Sequence, residues 1–202
     1  INFEKMKNKI NILILGFLLT SGSLLAQKAE FGIKGGVNIP TSDAVIGANL
    51  EQSGASGYHA GIFAKFKFAF IGISPELQYS FQNIDFNDGS TNKNQESAYL
   101  DLPIMLRFYL PAGLNFQLGP QFGYLMSAKQ ITHSSDAEIN IKDELLNSNI
   151  SINLGIGWDL PFGLDVYGRY NIGVSDVNDP ASASTAIQNS MIQISVAYSL
   201  KK

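Results

Sequence analysis

The chain has 202 residues, 45% hydrophobic and only 15% charged, with a formal net charge of −3; ordinary soluble domains carry roughly 25% charged residues. That length suits one domain with a full core. No run of about 18 apolar residues follows the N-terminus, which excludes a helical membrane protein. The absence of cysteine excludes disulfides, a thiolate metal site and a lipoprotein anchor.

Met6 to Ala26 has the pattern of a secretory signal peptide. Lys7 and Lys9 supply its positive start, Ile10 to Leu19 its apolar centre, and Ser21, Gly22 and Ser23 lead to a cut after Ala26. The expected division is therefore a signal peptide over 1–26, with Met6 as the natural start, and one barrel domain over 27–202.

From there the chain alternates apolar and polar residues with period two, the signature of half-buried strands. Glu30–Asn38 sets Phe31, Ile33 and Val37 against Lys34. After a loop over 39–56, Gly57–Phe68 sets Tyr58, Ala60, Ile62, Ala64, Phe66 and Phe68 against His59, Gly61, Phe63, Lys65 and Lys67. A minimal turn at Ala69 and Phe70 leads to a strand in which Ile71, Ile73, Leu77, Tyr79 and Phe81 oppose Ser74, Glu76, Gln78 and Ser80. A loop over 83–97 follows, around Asp85-Phe86-Asn87-Asp88-Gly89.

Ala98 to Ser127 is the most regular stretch, a hairpin closed by Leu110-Pro111-Ala112-Gly113. Ala98, Leu100, Leu102, Ile104, Leu106 and Phe108 line one face of its first strand, with Tyr99, Asp101, Met105, Arg107 and Tyr109 on the other. In its second strand Leu114, Phe116, Leu118, Phe122, Tyr124 and Met126 oppose Asn115, Gln117, Gln121 and Ser127. Strands this long suit a tilted membrane crossing of about 9–11 residues. Residues 128–148 form the longest loop, with one helical turn expected over Lys142–Leu146. A second hairpin follows, with Ile150–Leu160 and Leu164–Val174 joined by Leu160-Pro161-Phe162-Gly163, an echo of the earlier turn. A loop over 175–185 precedes a last strand, about Ile187 to Leu200.

Eight strands with tight turns and long loops in strict alternation predict an all-β, eight-stranded antiparallel up-and-down transmembrane β-barrel. Alternation alone fits a soluble barrel turned inside out. Composition of the two faces decides between them. The polar face is rich in Gly, Ser, Asn and Gln rather than dense in charge, and the apolar face of the strands after the first carries no charge. One charge at the bilayer midplane costs about 2–4 kcal/mol, so a clean apolar face belongs to lipid. Pro75, Pro103 and Pro120 interrupt predicted strands and imply bulges or distorted register there.

The polar face then lines a lumen just wide enough for side chains to fill. Its charges are Lys34, Lys65, Lys67, Arg107 and Arg169 against Glu76, Asp101, Asp159 and Asp165. Buried charges require partners, so these nine residues are expected to form a plugging network. The expected pairs are Lys65 with Glu76, and Asp101 or Glu76 with Arg107 or Arg169. A narrow pore is the alternative. The loops are acidic, which fits cation-bridged contact with lipopolysaccharide or an envelope partner and disfavours nucleic acid. Asp85–Gly89 falls one position short of a calcium loop. His59 has no companion motif for catalysis at the rim, so neither an enzyme nor a cofactor is expected.

Tyr99-Leu100-Asp101-Leu102-Pro103-Ile104-Met105-Leu106-Arg107 resembles the tyrosine-leucine-acid-apolar-proline signature of the outer-membrane barrel family of Bacteroidota labelled PorT-like or porin-family. Phe31-Gly32-Ile33-Lys34-Gly35-Gly36-Val37-Asn38 is similar to that family's first strand. The resemblance implies residence in the cell outer membrane. It also accounts for Pro103 inside a strand. The founding member's link to type IX secretion is not carried over to this chain.

Overall fold

The computed structural model describes residues 29–41, 51–87, 92–132, 137–142, 146–175 and 190–201. The expected signal peptide therefore lies outside the described residues. Among the described residues there are nine strands: β1 (Ala29–Pro40), β2 (Glu51–Phe68), β3 (Ile71–Asn87), β4 (Asn92–Tyr109), β5 (Leu114–Thr132), β6 (Ala137–Asn140), β7 (Ser148–Asp159), β8 (Leu164–Gly173) and β9 (Met191–Lys201). All strand pairs are antiparallel, and β1 pairs with β9 to close the sheet. Eight strands make the barrel. The ninth, β6, lies along the far end of β5 and was not expected; Lys129–Thr132 of β5 pair with it.

Two neighbouring hairpins turn on the same chemistry. Pro111 and Pro161 each open a short 3-10 turn, in which Ala112 and Gly113 have φ of 63° and 83°, and Phe162 and Gly163 have φ of 66° and 86°. A left-handed glycine reverses the chain without steric cost. In both turns the leucine before the proline donates its N–H to the leucine after the glycine, Leu110 to Leu114 and Leu160 to Leu164, at 2.7 Å. The 50-residue echo in sequence is thus an echo in conformation.

The strands differ in height. β2, β3, β4 and β5 run 17–19 residues, whereas β1, β7, β8 and β9 run 10–12. The excess lies at the loop end, over stretches expected to be loop. At about 3.3 Å per residue, roughly six extra residues lengthen these strands by about 20 Å, which a tilt of about 40° turns into a rise of about 15 Å on one side of the wall.

The outward row is apolar around the whole barrel. Ile33, Ile62, Leu77, Leu102, Leu118, Leu154, Val166 and Ile194 are all solvent-facing, with no charged residue among them. The polar residues are the buried ones, including Arg107, Arg169, Lys65, Glu76 and Gln193. This inversion of an ordinary soluble protein places the core in the lumen and the apolar surface against lipid.

Two details correct the simple alternation. The prolines do not shift the register. Pairing skips Ala64 and Lys65 opposite Pro75 and Ser74, Glu76 and Leu77 opposite Pro103 and Leu102, and Ile104 and Met105 opposite Pro120 and Gly119. Register resumes unchanged beyond each gap, because a missing N–H removes a bond without adding a residue. A bulge does occur where β4 passes from Ala98 to Tyr99, with Met126 the extra residue on β5. It sends Met126 and Ser127 outward in succession. Ser127, expected in the lumen, is therefore outside; Ala98 keeps the outward alternation expected of it, opposite Phe81 and Ser127, and is buried among its neighbours.

Candidate functional site

Alternation delivers one inward side chain from every second residue of eight strands, and the lumen sorts them into three tiers. The tier at the turn end centres on Lys65 of β2. Its Nζ lies 2.6 Å from Asp165, 3.1 Å from Asp159 and 3.2 Å from Glu30. Glu30 stands directly opposite Lys65 in the β1–β2 register. It was missed from sequence although it shares its alternation with Lys34. Lys67 is half-buried at this end, its ammonium 3.8 Å from the centre of the Tyr109 ring.

The middle tier centres on Glu76 of β3. Arg169 of β8 reaches across the lumen with Nη1 2.8 Å from Oε2 and Nη2 2.6 Å from Oε1, a bidentate pair. Lys34 of β1 adds a 2.7 Å contact to Oε2. The Arg169 Nε donates to Gln117 at 2.8 Å. The Tyr167 ring lies within this tier, 4.3 Å from the Arg169 guanidinium and 5.4 Å from the Lys34 ammonium. With Arg107 at 5.6 Å, three cations surround this ring at distances that fit cation–π attraction.

Arg107 bridges the two tiers loosely. It is 1% exposed, 3.5 Å from Asp159 and 3.7 Å from Glu76, and its Nε and Nη1 make no hydrogen bond. A second link is neutral: Gln117 donates to Asn115, which donates to Asp159.

Of the expected pairs, Glu76 with Arg169 forms, and the others are redistributed. Lys65 does not meet Glu76, because three carboxylates of the turn end hold it. Asp101 meets neither arginine; Gln78 donates to it at 3.4 Å and relays it to Lys34, which donates to Gln78 at 2.6 Å. The cause is that side chains cross the barrel, and strand adjacency does not dictate who meets whom. Counting Glu30, the described lumen holds five cations and five anions. Such balance suits a low-dielectric interior, where an uncompensated charge is costly.

The loop-end tier is neutral apart from Asp101 at its lower edge, beside Gln78, Ser80 and Gln121. Asn38 accepts from His59 and Gln193 and donates to Ser80, while the other ring nitrogen of His59 meets Ser195. Asn171 donates to Ser151 and Asn153, and Asn153 to Gln121. Above them an apolar cluster of Tyr99, Leu125, Ala128 and Ile141 covers part of the mouth. Ile141 follows β6, and its N–H bonds the Ala128 carbonyl at 3.1 Å. Leu125 is inward by the regular alternation of β5, and the Met126 bulge is what turns Ala128 inward beside it. Of the helical turn expected over Lys142–Leu146, residues 143–145 lie outside the described residues.

Among the described residues no group of His, Cys, Asp and Glu is arranged to hold a metal ion. Asp85 at the mouth instead accepts from Asn94 at 2.6 Å, and Asn83 accepts from the same amide.

Comparison with known proteins places this architecture. The neisserial surface protein A (NspA) superposes with a TM-score of 0.50 at 13% identity, over 87% of this chain and 100% of that one. Ail, the attachment invasion locus protein of Yersinia pestis, gives a TM-score of 0.48 at 11% identity, over 86% and 99% of the two chains. OprG of Pseudomonas aeruginosa gives 0.40 at 11% identity, over 86% and 95%. No curated protein matches the chain. A family model described as "Outer membrane protein beta-barrel domain" matches residues 25–179. The chain therefore belongs to the outer membrane protein beta-barrel domain family, as a small barrel of the cell outer membrane whose lumen is filled with buried salt bridges.

Proposed function

We propose that the protein is a non-enzymatic outer-membrane barrel of structural or interaction type. The lumen is closed, and the work is done by the wall and loops that rise from its outer end. The observation that carries this reading is the Lys34–Glu76–Arg169 cluster, which spans the lumen from β1 and β3 to β8 with contacts of 2.6–2.8 Å. An ion would have to displace charge-assisted bonds that are individually strong. Open aqueous channels belong to much wider barrels.

The partner-facing part is the raised sheet of β2 to β6. Its polar outward residues, among them Ser127, Lys129 and Asn140, stand above the Tyr58–Phe81 stack, whose rings are 5.2 Å apart. Aromatic rings favour the membrane interface, so the raised sheet sits at the level of lipid headgroups and beyond. Its environment is outer-membrane lipid and lipopolysaccharide, and its partner an envelope protein rather than nucleic acid. The PorT-like kinship within Bacteroidota belongs to this proposal too, on the strength of the Tyr99–Arg107 signature.

Photo-crosslinking in intact cells tests the assignment. A crosslinker at Ser127 or Asn140 is expected to capture lipopolysaccharide or a discrete envelope protein, while one at Leu154 captures only phospholipid or the lipid chains of lipopolysaccharide. Capture of neither headgroup nor protein from both raised positions would refute it. A narrow pore is the second reading, favoured by the loosely held Arg107.

A further inference from the structure

The loop-end tier contains an arrangement that plugging the lumen does not require. Ser195 of β9, Gly36 of β1 and His59 of β2 stand in one row, since Gly36 pairs with both. With no side chain between them, the His59 imidazole lies over Gly36 and its Nε2 comes 2.8 Å from the Ser195 Oγ. A Cβ at Gly36 would fall 2.8 Å from the ring's Cε1 and 2.9 Å from Nε2. The row therefore works only with glycine at its centre.

The other ring nitrogen is fixed as well. Nδ1 lies 2.8 Å from the Asn38 Oδ1. The orientation of that amide is set by its own partners: Nδ2 donates to the Ser80 hydroxyl at 2.8 Å and the Tyr58 carbonyl at 3.2 Å, and Oδ1 accepts from Gln193 at 3.1 Å. Oδ1 thus faces Nδ1 as an acceptor, which assigns the proton to Nδ1. Nε2 is left with its lone pair aimed at the serine hydroxyl. Nucleophile, base and orienting group then stand in hydrogen-bond sequence, the arrangement that activates a serine.

We propose that Ser195 is an activated nucleophile that takes one small acyl or phosphoryl group, a covalent modification site in the upper lumen; in the phosphoryl case the Oγ–P bond forms as the P–F bond breaks and fluoride leaves with the hydroxyl proton. In the acyl case the Ser195 Oγ attacks the carbonyl carbon of an ester while His59 Nε2 removes the hydroxyl proton. The new Oγ–C bond forms, the bond from that carbon to the ester's alkoxy oxygen breaks, and His59 delivers the proton to the departing alcohol. Asn38 is a positioning residue that holds the tautomer. The reaction is stoichiometric, so it is compatible with a barrel that has no turnover chemistry. The charged middle tier closes the approach from the turn end. Ser195 and His59 are buried, and so are Met191 and Gln193 toward the loop end; the donor therefore has to be small and reaches Ser195 as those two side chains swing aside.

Diisopropyl fluorophosphate and p-nitrophenyl acetate, applied to the folded full-length protein in detergent and read by peptide mass, test the proposal. The expected result is a single adduct on Ser195, absent from Ser195→Ala and from heat-unfolded protein. His59→Gln is expected to slow labelling by at least about a hundredfold, the lower end of what a positioned base supplies. Comparing native with heat-unfolded wild type is a readout that does not require a variant to fold. No adduct on Ser195, labelling of the unfolded protein as fast as the folded, or equal labelling of folded His59→Gln would each overturn it.

Discussion

Glu76 and Arg169 clasp each other across the lumen from β3 and β8, strands on opposite sides of the barrel, through two parallel bonds of 2.6 and 2.8 Å. Each is fully buried. The pair therefore ties together walls that share no backbone hydrogen bonds.

Removing one partner strands the other. Glu76→Ala or Arg169→Ala is expected to destabilise the barrel by about 3–5 kcal/mol, the usual cost of leaving a buried charge uncompensated. Because Lys34 also bonds Glu76, loss of the glutamate leaves two cations adjacent and should be the worse of the two. The double variant Glu76→Leu/Arg169→Met should recover much of the loss, since apolar residues of similar volume replace buried ion pairs at little cost. Urea titration of folding into lipid vesicles checks both statements.

The lipid face predicts the opposite sensitivity. Leu154 lies mid-strand on β7 and is 55% exposed, so in water Leu154→Arg would be benign. In a bilayer it should cost about 2–4 kcal/mol, falling toward zero for an equivalent change near either rim. The same folding titration, with charges placed along the outward row of β7, should trace that depth profile.

The Met126 bulge makes a less intuitive prediction. Deleting one residue from a membrane strand ordinarily turns every later side chain to the wrong face. Deleting Met126 instead leaves Leu125 opposite Tyr99 and Ser127 opposite Ala98, with inward and outward residues alternating regularly. That deletion should preserve heat-modifiable migration on a gel, whereas deleting Phe122 should abolish it.

Much of the barrel was legible because lipid imposes a severe rule on one face. Leu100, Leu102, Leu106 and Phe108 had to be apolar, and their alternation with Asp101 and Arg107 gave the strand and its faces together. The repeated Leu-Pro-x-Gly turns were equally plain, as only glycine tolerates their last position well. Where that rule lapses, sequence became silent. The extra height of β2 to β5 and the short β6 lie beyond the apolar band, where polar strand and polar loop look alike.

Partners in the lumen were not legible either. Lys65 was expected to meet Glu76 because their strands are neighbours, yet it meets Asp165 of β8 and Asp159 of β7 instead. In a narrow barrel, long side chains reach the opposite wall as readily as the next strand. Which charges meet therefore depends on strand tilt and stagger, quantities set by closure of the whole sheet. Tyr167 illustrates the same limit. Its alternation placed it on the polar face, but nothing local reveals the cations gathered around its ring.

The central claim is that this network closes the lumen, and single-channel recording in a planar bilayer tests it most directly. The folded wild-type protein should add no discrete current steps to the bare membrane, while a folded Glu76→Ala/Arg169→Ala barrel, its cross-lumen clasp removed, should pass small ones. Regular steps of uniform size from the wild type would contradict the account.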